Sequence, residues 1–207
     1  DSRFYGKFAM IPILEPSTQQ EAYDMMPYAY ELSESLKLPI LMRIVTRLAH
    51  SRAGVVIRKP QEQNTLNPET DRTHWVLLPG NARRQYASLV EKQKELLASS
   101  EASPYNKSEF CAQSSKHKLG VIACGIAYNY VLENEPQKSD IPVLKVSQYP
   151  LPESSIKAFA EQCESLLIAE DGQPLVEEQV KSILGAEYPL KGRLTGELPR
   201  MGELTPD

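Results

Sequence analysis

Lys118-Leu119-Gly120-Val121-Ile122-Ala123-Cys124-Gly125, running on into Ile126-Ala127-Tyr128-Asn129-Tyr130-Val131-Leu132, is the stretch that decides the fold class. A short apolar run ends on a glycine, and a helical pattern starts directly after it. Apolar runs without alternation belong to strands covered on both faces, and such strands sit in parallel sheets whose crossovers are helices. The stretch therefore reads as the first strand–turn–helix step of a parallel α/β unit. The step repeats downstream. Pro142-Val143-Leu144-Lys145-Val146 is the next strand, followed by a helix through Ile156, Ala158, Phe159 and Ala160 toward Cys163. Leu166-Leu167-Ile168-Ala169-Glu170-Asp171 is the third, ending in two carboxylates, with a helix over 174–184 behind it. That helix carries Pro174 near its first turn and turns Leu175, Val176, Val180, Ile183 and Leu184 inward. A short strand over 186–190 and an irregular tail follow. Strands alternating with helices of this length close as a three-layer αβα sheet.

Upstream the pattern differs. Phe8 to Leu14 reads as a strand ended by Glu15-Pro16. Ser17-Thr18 offers an N-cap, with Gln20 or Glu21 as the reciprocal partner, for a helix running to about Lys37. Pro27 sits inside that helix. Leu38 to Thr46 reads as a second strand with its proline at the entry, where it is tolerated. One strand–helix–strand unit is too small for a domain and leaves its edges uncovered, so the chain is expected to lack N-terminal partners of this unit. Gly54-Val55-Val56-Ile57 reads as a further short strand and 58–73 as a polar connector. Trp75-Val76-Leu77-Leu78 leads into a charged helix over about 82–99, read as a solvated face. Residues 99–115 read as a second connector.

Composition narrows the function classes. The chain has 207 residues, 41% hydrophobic and 24% charged, with a net charge of −4. These are ordinary globular values, and an acidic chain does not suit a phosphate-backbone binder. No apolar run is long enough for a membrane span, and Asp1 to Lys7 does not read as a secretory leader. Cys111, Cys124 and Cys163 form no C-x-x-C pair, so no zinc site or disulfide framework is expected, and a reduced, cytoplasmic setting fits. Cys124, at a strand–helix turn, reads as a small buried hydrophobe rather than a nucleophile. His50, His74 and His117 are isolated. Glu170-Asp171 sits at the sheet edge where α/β proteins place their sites, yet the same carboxylates can cap the next helix. Gly120-x-x-x-x-Gly125 lacks the G-K-[ST] ending of a phosphate loop. The residues alone complete no nucleophile–base pair, metal cluster or cofactor cradle, so the expected catalytic, cofactor and metal residues are none.

A family resemblance adds to this. The segments that carry it are Asp1-Ser2-Arg3-Phe4-Tyr5, Ile13-Leu14-Glu15-Pro16-Ser17, Glu21-Ala22-Tyr23-Asp24-Met25, Leu38 to Arg43 and Thr46 to Ser51. It continues through Leu78-Pro79-Gly80-Asn81-Ala82-Arg83-Arg84, Gly125 to Tyr130, Tyr149-Pro150-Leu151-Pro152 and Glu177-Glu178-Gln179-Val180. It ends at Leu198-Pro199-Arg200-Met201-Gly202-Glu203-Leu204. In this order they resemble the middle of the α subunit of indolepyruvate:ferredoxin oxidoreductase. The resemblance implies a thiamine-diphosphate enzyme that oxidatively decarboxylates aryl 2-oxoacids to acyl-CoA and reduces ferredoxin, with magnesium and 4Fe-4S clusters in the complete subunit. It implies that residues 1–57 end a pyrimidine-binding domain, that 58–117 form a linker, and that 118–207 form a domain like the C-terminal one of transketolase. The family's activating glutamate would lie upstream of Asp1, and its Gly-Asp…Asn magnesium motif and cysteine-rich motifs downstream of Asp207.

The resemblance thus implies an architectural middle segment, inactive alone, with no cofactor of its own. Its partners would be the flanking domains, a β subunit, ferredoxin and CoA, with no nucleic acid and no membrane. Arg3 is the one site residue it suggests, as a contact for the 2-oxoacid carboxylate. Two rival readings are a stand-alone α/β interaction module using helix 82–99, and a sister enzyme acting on another 2-oxoacid.

Overall fold

The computed structural model describes residues 1–207 except 61, 63, 64, 66, 110–115, 135–140 and 207, and the side chain of Glu109. Its organising element is a five-stranded sheet in the second half of the chain. Strands β4 (Gly120–Cys124), β5 (Val143–Val146), β7 (Leu166–Ala169) and β8 (Leu190–Lys191) run parallel. β3 (Lys107–Glu109) adds antiparallel to the edge, for a spatial order β3-β5-β4-β7-β8. Helices α5 (Ala127–Asn134), α6 (Glu153–Glu161) and α7 (Leu175–Leu184) make the crossovers.

Side chains alternate across β4. Ile122 and Cys124 face Ile156, Phe159, Val176 and Val180 of α6 and α7, whereas Val121 and Ala123 face Ala127 and Tyr130 of α5. Both faces are therefore covered, which is why these strands read as unbroken apolar runs. A Cβ on Gly120 would lie 2.5 Å from the Cys163 sulfur, so the strand's first residue must be glycine for α6 to pack this close.

The first half differs from the sequence reading in three places. Residues 8–14 are not one strand. A helix α1 (Arg3–Ala9) comes first, and only Ile13–Leu14 pair as β1. Helix α1 shows no inward apolar stripe, because Phe4, Tyr5 and Phe8 point outward and its buried residues are Arg3 and Gly6. A Cβ on Gly6 would fall 2.4 Å from the Ile13 side chain, so the glycine sets how closely α1 lies on β1. Residues 38–46 also shorten, to β2 (Leu41–Met42), and Thr46–His50 turn into helix α3. Among the described residues, 54–57 pair with no strand. In the second half, the expected last strand over 186–190 forms instead at 190–191.

Helix α2 (Gln19–Leu36) follows its capping signature. Thr18 Oγ1 accepts from the Glu21 amide at 3.1 Å, and the Glu21 carboxylate reaches back to the Ser17 amide at 2.8 Å. Strands β1 and β2 pair in parallel, and β1 gains a third strand, β6 (Gln148–Tyr149), antiparallel on its other side. β6 follows β5 after a single residue, so the small sheet is completed by the same stretch that builds the large one. Helix α4 (Pro79–Glu101) lies against β6 and α6 through its C-terminal half, where Leu96 and Ser100 are its buried residues. Ser100 Oγ donates to the Gln148 and Pro150 carbonyls at 3.0 and 2.5 Å, and Glu101 accepts from the first amides of α6 at 2.6 and 3.2 Å.

Candidate functional site

Among the parallel strands, chain order reverses between β4 and β7. β5 lies on one side of the first strand, and β7 and β8 on the other. Open α/β sheets bind their ligands at this switch point, in the crevice beyond the strand C-termini. Here the crevice begins at Cys124-Gly125 and at Glu170-Asp171, and the chain's own first half fills it.

Four apolar strands end on or just before a charged or glycine residue, and the ends meet. Glu15, after β1, presses on Gly125, where a Cβ would come within 2.6 Å of the carboxylate. Gly125 also has φ +52°, a left-handed conformation that glycine adopts without cost. Arg43, after β2, pairs with Glu15 and donates to the Asp171 carbonyl at 2.8 Å. Arg3 from α1 lies 3.0 Å from Glu170, 3.9 Å from Glu15 and 2.6 Å from Asp1. It also donates to the carbonyls of Asp171 and Gln173 at 3.0 and 2.9 Å. Tyr149 donates its hydroxyl to Glu15 at 2.6 Å. From the tail, Arg193 donates to the Glu170 carbonyl at 3.1 Å and approaches Asp171 at 3.7 Å. Three guanidinium groups thus meet the carboxylates of Asp1, Glu15, Glu170 and Asp171 in one buried seam.

Burial sets the protonation tendencies. Desolvation alone would lower the Arg3 guanidinium, but Glu15, Tyr149 and Glu170 outweigh it and hold it above its ordinary value. Glu170 is pushed up, chiefly by burial, although Arg3 and the amides of Glu177 and Val176 pull the other way. Burial raises the Cys124 thiol, and the charges of Glu170 and Glu15 raise it further. Cys124 is fully buried in the core, as expected of a small hydrophobe. The Tyr149 hydroxyl is raised for the same reason.

Glu170 serves as the expected cap. Its oxygens accept from the Val176 and Glu177 amides at 3.0 and 2.9 Å, at the start of α7, and it also carries the ion pair with Arg3. Arg3 itself is fully buried, not a surface arginine: its Nε and Nη2 donate to Asp1, Asp171 and Gln173, while its Nη1 faces Glu170 as an ion pair without a hydrogen bond. Glu15, Arg43, Arg193 and Tyr149 were not singled out from sequence. The signal available for two of them was a charged residue closing a short apolar run: Ile13-Leu14-Glu15 and Leu41-Met42-Arg43 repeat the form of Ile168-Ala169-Glu170.

A second polar knot joins the halves nearby. Lys145, inward on β5, pairs with Glu21 of α2 and stands 4.7 Å over the Tyr128 ring. Burial works against the Glu21 carboxylate, but Lys145 and the Ser17 hydrogen bonds outweigh it and hold its pKa below the ordinary value. Asn129 closes the contact by donating to the Ser17 carbonyl at 2.6 Å. Of the cysteines, Cys124 and Cys163 are free and buried, and Cys111 lies outside the described residues. Among the described residues, no three His, Cys, Asp or Glu side chains are grouped to hold a metal ion, and no helix is long and apolar enough to cross a membrane.

No family model matches the chain. Curated relatives do. Over 216 residues, 100% of this chain and 34% of the relative, it is 34% identical to indolepyruvate oxidoreductase subunit IorA of Methanothermobacter thermautotrophicus. It is 35% identical over 208 residues to the subunit of that name from Archaeoglobus fulgidus, covering 96% of this chain and 32% of the relative. With the Thermococcus kodakarensis subunit the identity is 35% over 217 residues, 99% of this chain and 33% of the relative. The chain is similar to a middle part of this subunit. It spans about a third of the length of these indolepyruvate oxidoreductase subunits. The first match runs over the whole chain, so the seam from Asp1 to Arg193 falls within the shared part. A solved 2-oxoglutarate:ferredoxin oxidoreductase from Magnetococcus marinus covers 63% of this chain and 22% of its own at a TM-score of 0.39 and 18% identity, a likeness too loose to carry an argument.

Proposed function

We propose that this chain is the architectural middle segment of a thiamine-diphosphate-dependent 2-oxoacid:ferredoxin oxidoreductase that acts on aryl 2-oxoacids such as indolepyruvate. The observation that carries the reading is the 34% identity maintained over the whole chain to an indolepyruvate oxidoreductase subunit about three times as long. The filled switch point supports the architectural part. Where an α/β sheet usually receives a ligand, Arg3, Glu15 and Arg43 pack instead, which fixes one half of the chain on the other.

The residues present do not fit the cofactor's magnesium. The seam's carboxylates are taken by guanidinium groups, amides and the Tyr149 hydroxyl, and no metal-ligating group stands elsewhere among the described residues. In the complete subunit, residues 1–57 would close the pyrimidine-binding domain and 118–207 would form the transketolase-C-like domain, joined by 58–117, whose β3 adds to the second sheet and whose α4 packs on β6 and α6. The flanking domains, the β subunit, ferredoxin and CoA belong to that whole, in a cytoplasmic setting. Arg3 as a contact for the substrate carboxylate is likewise a proposal for the complete subunit, retired by an Arg3→Ala change there that leaves substrate affinity and turnover untouched.

Two measurements test the reading. Titrating thiamine diphosphate with magnesium into the purified chain should give no binding heat, and saturable binding at low micromolar concentration would defeat the architectural role. The complete subunit with its partner should reduce ferredoxin on addition of indolepyruvate and CoA. Reduction with 2-oxoglutarate but not with indolepyruvate would remove the aryl substrate.

A further inference from the structure

The N-terminal half of α4 is unlike the rest of the molecule. The helix has 23 residues, yet its buried residues, Leu96 and Ser100, both lie in the C-terminal third. Residues 71–80, which lead into it, are all exposed, including Trp75 and Leu77 at 73% and 79%. Between this lead-in, the first three turns of α4 and the end of α2 lies a trough of about 650 Å³. Its apolar lining is Leu38, Leu77, Tyr86 and Leu89, of which Leu77 and Tyr86 are exposed, beside the polar Thr73, Asn81, Gln85 and Ser88. Its charged lining is of one sign: Lys37, Arg84 and Lys92. Among the described residues no carboxylate lines it, although the chain as a whole carries a net charge of −4.

The cations are held in place. Lys92 donates to the Leu36 carbonyl at 2.5 Å, which fixes it to the end of α2, and Arg84 donates to Asn81 at 2.5 Å. Lys37 pairs with Glu34 at 3.1 Å. An exposed pair of this kind holds its partner weakly and yields to a better-placed anion.

The shape separates the occupants. Lining residues run along α4 from Asn81 to Lys92, a length of roughly 16 Å at 1.5 Å per residue. Small-ligand sites enclose most of their ligand; this trough is open along its length, with an exposed wall. That is the form of a groove that receives an amphipathic helix, whose apolar stripe meets the apolar lining and whose flanks meet the cations.

We infer that the trough between α2 and the N-terminal half of α4 docks an acidic amphipathic helix of another polypeptide. Leu77, Tyr86 and Leu89 would take its apolar side chains, and Lys37, Arg84 and Lys92 its carboxylates. The inference is independent of the family reading, since it concerns a surface away from the switch point.

The chain supplies its own reporter, because Trp75 is its single tryptophan and stands exposed beside the lining residues His74 and Leu77. The probe is a synthetic 17-residue helical peptide with leucines at i, i+4, i+7 and i+11 and glutamates on both flanks. Its control replaces every glutamate by lysine. Titration into the full chain, followed by Trp75 emission and by calorimetry, is expected to show a saturable blue shift with the acidic peptide and none with the basic one. Affinity should fall by about tenfold between low and high salt, as a charge-matched interface requires. Arg84→Glu, on an exposed position, should weaken binding by about tenfold with the far-ultraviolet spectrum unchanged, and Tyr86→Ala should weaken it comparably. No saturable response by either readout, equal binding of both peptides, or binding indifferent to Arg84→Glu would overturn the inference. Self-association of the chain that hides Trp75 without peptide would also overturn it, because a second copy would then be the occupant.

Discussion

Replacing Arg3 by methionine keeps most of its volume and removes its charge, which makes it the sharpest test of the seam. Arg3 stands 3.0 Å from Glu170 and 2.6 Å from Asp1, fully buried, and it also satisfies the carbonyls of Asp171 and Gln173. At 3.0 Å and an effective dielectric near 20, the attraction to Glu170 alone is about 5 kcal/mol. That gain is largely offset by the cost of burying both charges, so the pair's net worth is small. Deleting one member is different, because the carboxylate left behind keeps its burial cost, and such deletions typically cost about 3–5 kcal/mol.

A chain of this size should show a urea dependence of about 2.5 kcal/mol per molar, and the midpoint measured by circular dichroism should then fall by about 1.5 M. The pH dependence gives a second check. Glu170 is already held above its ordinary value, and losing Arg3 raises it further. A carboxyl with a raised folded-state pKa favours folding while protonated, and that contribution is lost as pH rises through the raised value. The destabilisation by Arg3→Met should therefore be larger at pH 7 than at pH 5. Adding Glu170→Gln should recover part of the loss, since the two side chains are coupled. A midpoint within about 0.3 M of the parent chain, or strictly additive single changes, would refute the account of the seam.

Further expectations follow from single contacts. Gly125→Ala forces a side chain into a left-handed backbone and within 2.6 Å of Glu15, and a loss of about 2 kcal/mol or more in chemical denaturation is expected; a neutral result would mean that Glu15 is free to move. Glu21, held below its ordinary value with Lys145 and Ser17 as partners, stabilises the fold above about pH 4.5, and this is lost as pH falls through its lowered value. Glu21→Gln should therefore lower the melting temperature at pH 7 and flatten its acid dependence, and an unchanged acid limb would dismiss the pair. Cys124 and Cys163 are buried, so at most one thiol per chain should react with an aromatic disulfide reagent before unfolding; fast reaction of two would show that a core strand opens.

The parallel unit was legible because its signal is local. Gly120–Cys124, Val143–Val146 and Leu166–Ala169 are unbroken apolar runs separated by helical patterns, and burial on both faces is the arrangement that hides them. The N-cap of α2 was legible for the same reason, since Thr18 and Glu21 are three residues apart. Helix α1 was not, because its apolar residues face outward and what it buries is a guanidinium. Periodicity carries no signal for that. The seam was read only at Glu170, as a helix cap.

By itself, then, the sequence determined a covered parallel α/β sheet, the cap that starts α2, and the likeness to a longer oxidoreductase subunit. Tertiary structure alone decided what fills the switch point. Arg3 and Asp171 are 168 residues apart in the chain and Arg43 and Asp171 are 128 apart, and a charge carries no mark of the partner it will meet across such a distance. Each reads singly as a surface or capping residue, and only the closing of β1, β2, β4 and β7 around one crevice turns them into a buried joint.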